Sequence, residues 1–297
     1  RSRLEGWAPL DDYDLSGQVI VVTGATSGLG HAAAEQLARC GATLVVVGRD
    51  GERNERVIAE LAASTGNPSI TQIPADMGDL EQVRHLAERV LAAHDRLDVL
   101  IHNAGALDPE RRVAPGGTEA TVASQVVGPF LLTRLLLDRL AASAPARVLT
   151  MSSGGMYTTG LKVSELEMAP EDYNGTEQYA RAKRAQVTLN EMWADRFGDL
   201  GVTFHALHPG WADTPGVDAG LPTFAKVMGP FLRTPEQGAD TLVWLAADDT
   251  AIASNCRFWL DRAPRPIHTL PTTKGTDTAE RRNRLWDWVA ATADATQ

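Results

Sequence analysis

Apolar, β-rich runs alternate along this chain with segments of helical periodicity, and this alternation is the strongest constraint on its fold. Runs that are apolar throughout predict strands buried on both faces, and a helix after each strand lets neighbouring strands run parallel. The sequence therefore predicts an α/β fold, a doubly wound parallel sheet of about seven strands with helices on both faces. The predicted strands are 18–23, 43–48, 69–75, 97–102, 146–151, 202–208 and, more weakly, 256–260. The helical segments include 29–39, 80–93, 118–140, 177–197 and 235–247.

A length of 297 residues fits one α/β domain of the larger kind, and the 43% of hydrophobic residues supplies its core. We predict a single domain over residues 15–262, preceded by an extension at 1–14. A tail at 263–297 follows and ends in a short amphipathic helix. Two long connections, 154–176 and 264–278, interrupt the alternation, and connections of this length in compact domains are often lids or substrate loops.

Composition argues against several classes of partner. A formal charge of −10 and a pI near 5.2 disfavour electrostatic attraction to nucleic acid or to anionic lipid. Cys40 and Cys256 lie far apart without a CxxC pattern, so we expect neither a disulfide framework nor a metal site. No apolar run approaches about 18 residues, so the sequence predicts no stable membrane insertion and a cytoplasmic protein.

The first predicted strand is followed directly by TGATSGLG, in which Gly24, Gly28 and Gly30 lead into a helix. Glycines permit a tight turn and a close approach of the backbone to a pyrophosphate, whose charge meets free N–H groups at the helix N-terminus. This strand-turn-helix context predicts a dinucleotide site, although the spacing G-x-x-x-G-x-G differs from the commoner G-x-G-x-x-G. A glycine-rich turn that binds no ligand is the alternative.

The end of the second predicted strand, VVGRDGER, bears on the choice of nucleotide. An acidic residue at this point would hold the ribose 2′-hydroxyl of NAD, whereas a guanidinium suits the 2′-phosphate of NADP through paired donors and opposite charge. Arg49 stands at the strand tip and favours NADP(H), with NAD(H) as the alternative. If Asp50 faces the ribose instead, the preference reverses, and an exposed arginine without a ligand is a third interpretation.

Tyr179 and Lys183, in YARAK, stand four residues apart in a predicted helix. That spacing places both side chains on one helix face, about one turn apart. A tyrosine near pKa 10 exchanges protons poorly at pH 7, and a neighbouring cation lowers the tyrosine pKa toward a useful range. Taken alone, the pair is more often an incidental feature of an exposed helix, so its interpretation depends on the other motifs.

Five motifs in order, each at the carboxyl end of a predicted strand or in the adjoining helix, together resemble the short-chain dehydrogenase/reductase family. They are TGATSGLG, NAG at 103–105, SS at 152–153, YARAK and HPGWADTP. The resemblance covers about residues 15–260 and implies a Rossmann-type oxidoreductase that interconverts a carbonyl and an alcohol with a nicotinamide cofactor. More narrowly, SSGGM, HPGWADTPGV and QGADT are similar to the group named dehydrogenase/reductase SDR family member 12, which implies a cytosolic oxidoreductase.

The family resemblance implies a role for each motif residue. Tyr179 would protonate a carbonyl oxygen as hydride arrives, or accept the proton in reverse, while Lys183 lowers its pKa and binds the nicotinamide ribose. Ser153 would hold the substrate oxygen, with Ser152 as the alternative if the register is off by one. Asp76 would meet the adenine amino group. The implied catalytic residues are Ser153, Tyr179, Lys183 and Gln125. The implied cofactor-binding residues are Gly24, Ser27, Gly28, Leu29, Gly30, Arg49, Asp76, Met77, Asn103, Ala104, Gly105, Tyr179, Lys183, Pro209, Gly210, Ala212 and Thr214.

Two departures from the family pattern bear on activity. Ser153 precedes Tyr179 by 26 positions, about twice the usual separation, so residues 162–174 form an inserted loop that need not separate the two hydroxyls. Gln125 stands where the family has an asparagine that helps seat a water in the proton relay. The extra methylene and rotor shift the relay by about 1 Å, enough for a substantial rate loss. We therefore predict lower turnover than in a Gln125→Asn variant.

Apolar side chains in the two loops expected to flank the site predict a hydrophobic small-molecule carbonyl or alcohol as the substrate, although loop packing explains them nearly as well. They are Met156, Tyr157, Trp211, Phe224, Met228 and Phe231. The tail helix is expected to pack on the domain or on a second subunit, with membrane-surface docking as the alternative. By family analogy we expect a homo-oligomer, a dimer or tetramer, paired through helices 118–140 and 177–197.

A catalytically weak nucleotide-binding sensor or interaction protein of the same fold is the competing function. Gln125 favours that interpretation, whereas the retained Ser153, Tyr179 and Lys183 favour an enzyme. Cofactor binding without turnover is the observation that separates the two.

Overall fold

The computed structural model describes residues 6–212 and 232–295, and its centre is one eight-stranded sheet. The strands are β1 (Val19–Thr23), β2 (Thr43–Gly48), β3 (Ile70–Pro74), β4 (Val99–His102), β5 (Ala146–Met151), β6 (Val202–Leu207), β7 (Arg257–Leu260) and β8 (Ala263–Arg265). Their order is β3-β2-β1-β4-β5-β6-β7-β8, and every neighbouring pair is parallel except β7 with β8. The strand order reverses between β1 and β4, so the predicted doubly wound parallel sheet is confirmed.

The sheet has one strand more than predicted. β8 holds only three residues and pairs antiparallel with β7, Trp259 opposite Pro264 and Leu260 opposite Ala263. Three residues carry no periodicity, and proline in a sheet is confined to edges, so the sequence pattern could not identify this strand. Residues assigned to the tail therefore continue the sheet of the domain.

Helices cover both faces of the sheet, as predicted. They are α1 (Gly28–Arg39), α2 (Gly51–Thr65), α3 (Leu80–Ala93), α4 (Ala120–Ala142), α5 (Gly175–Phe197), α6 (Pro235–Ala247), α7 (Pro271–Thr276) and α8 (Ala279–Asp294). Buried residues of α1, α2 and α6 form the core on one face, and those of α3, α4, α5 and α8 form the core on the other. β1 supplies both, because Val19 and Val21 point to one core and Ile20 and Val22 to the other.

The last helix, α8, packs on α4 and α5. Leu285, Val289 and Ala293 form one face of α8 and are fully buried in the core shared with these helices. Trp286 packs edge-on against Trp193 of α5, with ring centroids 4.9 Å apart. The tail helix thus packs on the domain, in agreement with the expectation, and it covers part of the surface through which copies were expected to pair.

Helix α4 is long and apolar enough, by length and composition, to cross a membrane, with a mean hydropathy of 1.4 over its most apolar window. The expectation that no segment approaches span length was therefore too strict. Buried core helices pass the same test, and 78% of this window is buried inside the protein. The helix is accordingly weak evidence for a membrane span.

Candidate active site

The turn between β1 and α1 leaves no room for a side chain at two positions. Gly24 has a φ of +67°, in the left-handed region, and a Cβ there would lie 2.7 Å from Ala104 Cα. A Cβ on Gly30 would overlap Gly24 O and Asn103 Nδ2. Asn103 Nδ2 fixes the turn by donating to Thr23 O and Gly24 O, each at 3.1 Å. The backbone is therefore bare and tightly held where a pyrophosphate would approach.

Helix α1 lacks the side-chain cap that the other long helices in the described chain have. Ser27, its N-cap residue, makes no capping hydrogen bond. The N–H groups of Gly28, Leu29 and Gly30 have no partner among residues 6–212 and 232–295. These donors lie at the positive end of the helix dipole and suit an anion, so the residues present fit a dinucleotide pyrophosphate. The caps elsewhere are Asp50 on α2, Asp79 on α3, Glu119 on α4, Asn174 on α5, Thr234 on α6 and Thr278 on α8.

The carboxyl end of β2 brings two arginines next to this turn. Arg49 is exposed at the strand tip. Asp50 caps α2, its carboxylate accepting from Arg53 N at 3.1 Å. The Arg53 guanidinium reaches back to the glycine turn and donates to Thr26 O at 3.1 Å. Asp50 is thus engaged in the helix cap, while two positive charges flank the place expected for the cofactor ribose.

The two residues predicted to bind the cofactor after β3, Asp76 and Met77, differ in their accessibility. Asp76 is half-buried, and its carboxylate accepts from Gly78 N at 2.9 Å. Met77 is buried in the core, and its carbonyl lies against Gly128 of α4. The Met77 side chain is therefore not available to a cofactor, whereas the Asp76 carboxylate remains partly accessible.

The inserted loop does not separate the serine from the tyrosine. A Cβ on Gly155 would lie 3.6 Å from Ser153 Oγ and 3.8 Å from Tyr179 Cδ1, so the two side chains meet at one point. The Ser153 hydroxyl is hydrogen-bonded with Tyr179. Ser152 is buried, and its Oγ donates to Lys183 O at 3.1 Å. Ser153, rather than Ser152, therefore faces the tyrosine.

The ionisation of Tyr179 and Lys183 contradicts one sequence prediction. Tyr179 keeps some exposed surface, but dense packing around it raises its pKa to about 12, and the hydrogen bond with Ser153 offsets only part of this shift. Burial lowers the pKa of Lys183 to about 7. Lys183 Nζ donates to Met151 O at 2.9 Å and lies over the Tyr179 ring, 5.2 Å from its centre. Because desolvation dominates both groups, Lys183 does not lower the pKa of Tyr179 as predicted.

A π-helical turn at Ala123–Val127 in α4 carries Gln125 to the site. Gln125 Nε2 donates to Ala106 O at 2.8 Å, and its Oε1 is buried without a partner among the described residues. A Cβ on Gly105 would lie 2.9 Å from this Oε1 and 3.3 Å from Lys183 Nζ. Single π turns are rare and recur at functional sites. The glutamine therefore keeps a free acceptor close to the ammonium group.

The loop after β6 also contributes to the site. Pro209 and Gly210 follow β6 after one residue, His208, and Arg233 Nη1 donates to Pro209 O at 3.2 Å. An isolated bridge pairs Ala212 with Arg233. This loop lies at the carboxyl edge of the sheet, next to the segment that holds Ser153. Thr214, also predicted to bind the cofactor, lies outside the described residues.

The apolar residues expected around the substrate differ in their surroundings. Met156 is fully buried against Phe258, so it belongs to a small core rather than to a pocket wall. The Tyr157 hydroxyl donates to Pro266 O at 2.7 Å and connects the segment after β5 to the tail. Trp211 is 49% exposed. Phe224, Met228 and Phe231 lie outside the described residues.

Sequence reasoning gave two residues of the site no specific role. Arg53 follows Arg49 by four positions, a spacing that could have been noticed, but only the fold shows that the Arg53 side chain turns back to Thr26. His208 precedes Pro209 and Gly210, and burial lowers its pKa to about 4, with the charge of Arg233 adding to the shift. Nothing in the residue pattern indicated which groups this imidazole contacts.

Comparisons with known proteins agree with this geometry. A family model described as short chain dehydrogenase matches residues 18–221. A human protein named dehydrogenase/reductase SDR family member 12 is 37% identical over 281 residues, covering 94% of this chain and 88% of that protein. Bovine retinol dehydrogenase 12 is 33% identical over 278 residues, covering 93% of this chain and 86% of that protein. The narrower resemblance drawn from the motifs is confirmed.

Solved structures share the fold. The crystal structure of an uncharacterized protein from Mycobacterium paratuberculosis superimposes with a TM-score of 0.77, covering 97% of this chain and 98% of that one. The two sequences are 24% identical. At that identity the match shows the fold alone.

Proposed function

The chain belongs to the short-chain dehydrogenase/reductase family, and on that premise we propose that it is an NADP(H)-dependent enzyme whose Tyr179 exchanges a proton with the oxygen of a hydrophobic carbonyl or alcohol. Membership makes the chain an NAD(P)-dependent oxidoreductase that acts on CH–OH and C=O groups. The observation that carries the proposal is the meeting of Ser153 and Tyr179 at Gly155, with Lys183 one helical turn from the tyrosine.

The preference for NADP(H) follows from charge. Arg49 and Arg53 supply two cations beside the glycine turn, and the Asp50 carboxylate is engaged in capping α2. A 2′-phosphate gains from paired guanidinium donors, whereas the ribose of NAD needs an acidic partner. In this proposal the bare N-terminus of α1 holds the pyrophosphate, and Asp76 is the acceptor available to the adenine amino group.

Tyr179 is suited to the proton-donating role. Because its pKa is about 12, the phenol stays protonated at neutral pH. When bound, a reduced nicotinamide supplies the hydride that adds to the carbonyl carbon. The Tyr179 O–H bond breaks as the carbonyl oxygen takes the proton, which yields the alcohol and leaves a phenolate. The Ser153 hydroxyl is close enough to hydrogen-bond to the same oxygen. A resting phenol favours the reductive direction.

Lys183 and Gln125 are placed to stabilise the Tyr179 phenolate that proton transfer produces. Lys183 is about half protonated near pH 7, and a phenolate beside it raises the stability of its charged form. Gln125 Oε1, which has no hydrogen-bond partner in the described part of the chain, is the nearby acceptor for that ammonium. We propose that the lysine becomes fully charged as the tyrosine loses its proton.

An apolar substrate is the proposed class. Trp211 is half exposed in the loop after β6, and Tyr157, packed edge-on to Phe258, lies in the connection that begins at Ser153. A relative that is 33% identical is named a retinol dehydrogenase, and a retinoid is an apolar alcohol or aldehyde. Aromatic walls with a few polar groups are typical of sites for such ligands.

The test combines cofactor titration with turnover. NADPH and NADH are titrated by fluorescence, and a panel of apolar ketones and aldehydes is screened by absorbance of the nicotinamide. We expect Tyr179→Phe to lose about 10³-fold in kcat while its Kd for NADPH is unchanged, because only the proton donor is removed. Tyr157→Phe is the matched control, since it removes a hydroxyl from the neighbouring loop, and it should retain activity.

The rival function, a nucleotide-binding sensor, makes the opposite prediction. NADPH would then bind without turnover of any panel member, and Tyr179→Phe would change nothing. Gln125 is the feature that favours this rival. Equal activity of the parent and Tyr179→Phe would also refute the enzymatic proposal.

A homo-oligomer and a cytoplasmic location stay predictions. Helix α8 covers part of α4 and α5, so copies that pair through those helices would have to surround it. Light scattering of the full chain measures the mass directly. A mass of one chain would contradict the predicted dimer or tetramer.

A further inference from the structure

His208 connects two loops that are distant in sequence. It follows β6, and its backbone N–H donates to Trp259 O in β7 at 2.9 Å, so its own position is set by the sheet. The imidazole Nδ1 accepts from Gly154 N at 3.2 Å and from Gly210 N at 3.3 Å. One ring atom therefore contacts both the loop that begins at Ser153 and the loop expected to border the nicotinamide.

The ring packs closely against the first of these loops. A Cβ on Gly154 would lie 2.9 Å from His208 Nε2 and 3.2 Å from Cε1, so the flat face of the imidazole occupies the place of a side chain. Gly154 is the residue directly after Ser153, whose Oγ accepts from Gly155 N at 3.2 Å. A shift of the imidazole would thus move the backbone on which the serine hydroxyl depends.

Two side chains contact the second loop. Arg233 Nη1 donates to Pro209 O at 3.2 Å, and the guanidinium is paired with Asp261 at 2.7 and 2.9 Å. His208 Nδ1 supplies a second contact, at Gly210. Residues 209–210 are therefore held by the Arg233 cation at Pro209 and by an uncharged acceptor at Gly210.

The chemistry demands a neutral acceptor at this point. Two N–H groups aim at Nδ1, so Nδ1 carries no proton and the neutral ring has its proton on Nε2. A second proton on the ring would place an N–H against two others, and Arg233 nearby opposes added positive charge. In asparagine the acceptor Oδ1 is bonded to Cγ, as Nδ1 is in histidine. Leucine has nearly the same shape as asparagine but carries a methyl group in place of Oδ1, so it cannot accept a hydrogen bond.

We propose that His208 is a positioning residue for the reaction, its Nδ1 acting as the shared acceptor that sets the spacing between the Ser153 loop and the loop at 209–210. This inference rests on the proposed function. A displacement of about 1 Å between reacting groups is enough to cost on the order of 10²-fold in rate. The residue acts through Ser153 and the cofactor loop and need not touch the substrate.

The experiment compares two isosteric variants of the full chain, His208→Asn and His208→Leu. With NADPH and a carbonyl that the parent reduces, we expect His208→Leu to lose roughly 10- to 100-fold in kcat with a smaller change in KM. His208→Asn should recover to within about 3-fold of the parent, because it restores the acceptor for both N–H groups. Both variants should fold, since Arg184 Nη2 still anchors the same loop through Met156 O at 2.7 Å.

Amide hydrogen exchange gives a readout that does not need activity. Peptides containing Gly154 and Gly210 should exchange faster in His208→Leu than in His208→Asn. Equal kcat in the two variants, or equal exchange, overturns the proposal, because the acceptor would then have no role. If the parent neither binds NADPH nor turns over, the proposed function fails, while the exchange comparison still decides whether His208 holds the two loops.

Discussion

The two ends of the site are built from different parts of the chain. At the end where we propose that the nucleotide binds, the backbone supplies the candidate ligand groups. Gly24 and Gly30 shape a turn, and the first N–H groups of α1 have no partner among residues 6–212 and 232–295. At the catalytic end, side chains from separate segments converge, and burial sets the pKa values of Tyr179 and Lys183. A site made by local backbone can be identified from a short motif, whereas a site made by long-range packing cannot.

The largest effect is expected at the nucleotide end. A Cβ on Gly30 would overlap Gly24 O and Asn103 Nδ2, so Gly30→Ala must deform the turn. We expect the Kd for NADPH to rise about 100-fold, which corresponds to the loss of one or two charge-assisted hydrogen bonds. Fluorescence titration measures this.

Gly51→Ala is the matched control for Gly30→Ala. Gly51 also opens a helix, but a Cβ there would meet only Pro74, at 3.8 Å or more. Its Kd for NADPH should equal that of the parent. If Gly30→Ala binds NADPH as tightly as Gly51→Ala does, the backbone of the glycine turn does not bind the nucleotide as proposed.

A smaller effect is expected from the arginine side chains near the glycine turn, which we propose select NADPH over NADH. Arg49→Ala and Arg53→Ala should each reduce the preference for NADPH over NADH by about 10-fold, because each removes one charge from the expected 2′-phosphate site. Arg56→Ala, on the exposed side of α2, is the control and should leave the preference unchanged. If both Arg49→Ala and Arg53→Ala keep the parent's preference for NADPH over NADH, these two arginines do not cause that preference.

The catalytic end should respond to geometry more than to charge. Gln125→Asn removes one methylene and one rotor from the amide near Lys183, and we expect kcat to rise about 3-fold because the relay is held more tightly. Steady-state assays with saturating NADPH measure it. Equal or faster turnover by the parent would show that the longer amide costs nothing here.

Burial at the catalytic end also predicts a dependence of stability on pH. Lys183 has a pKa of about 7 in the folded chain against about 10.5 when unfolded, so between these values the unfolded state binds the extra proton. Lys183 therefore makes stability rise with pH from 7 to 10, and that stability is lost as pH falls to 7.

Lys183→Met removes this contribution. The slope of unfolding free energy against pH should fall by up to about 1.4 kcal/mol per pH unit in that window, the value for one proton. Urea denaturation of parent and variant at several pH values measures the slope. Parallel pH profiles would mean that the lysine keeps its ordinary pKa in the fold.

Much of the fold followed from the sequence because its signals are local. The seven predicted strands are present, and so are the tail helix and the five helices predicted with residue ranges. The ends of those five helices are shifted by two residues at most. The sequence does not predict β8, because the three residues around Pro264 are too few to show a hydrophobic periodicity. The sequence does not decide whether α8 packs on the domain or on a second subunit, because an amphipathic face does not show what covers it. The contacts of Leu285 and Trp286 with the core show that it packs on the domain.

The candidate site was less predictable than the fold because many of its contacts join residues that are distant in sequence. The motifs located Tyr179, Lys183 and the glycine turn, but the choice between Ser152 and Ser153 depended on strand register, which a motif does not contain. The sign of the tyrosine pKa shift was wrong because four-residue spacing indicates proximity and not desolvation. The contacts of Arg53 with Thr26 and of His208 with Gly154 join distant parts of the chain, so the local sequence does not predict them.

A crystal structure of the chain with NADP⁺ bound would test the proposed roles of Tyr179 and Lys183 most directly. We expect the pyrophosphate on the N–H groups of residues 28–30, the Tyr179 hydroxyl and Ser153 Oγ facing the nicotinamide C4, and Lys183 Nζ within hydrogen-bond distance of the ribose. A Tyr179 hydroxyl turned away from that carbon, with the ammonium out of reach of the sugar, would contradict these roles.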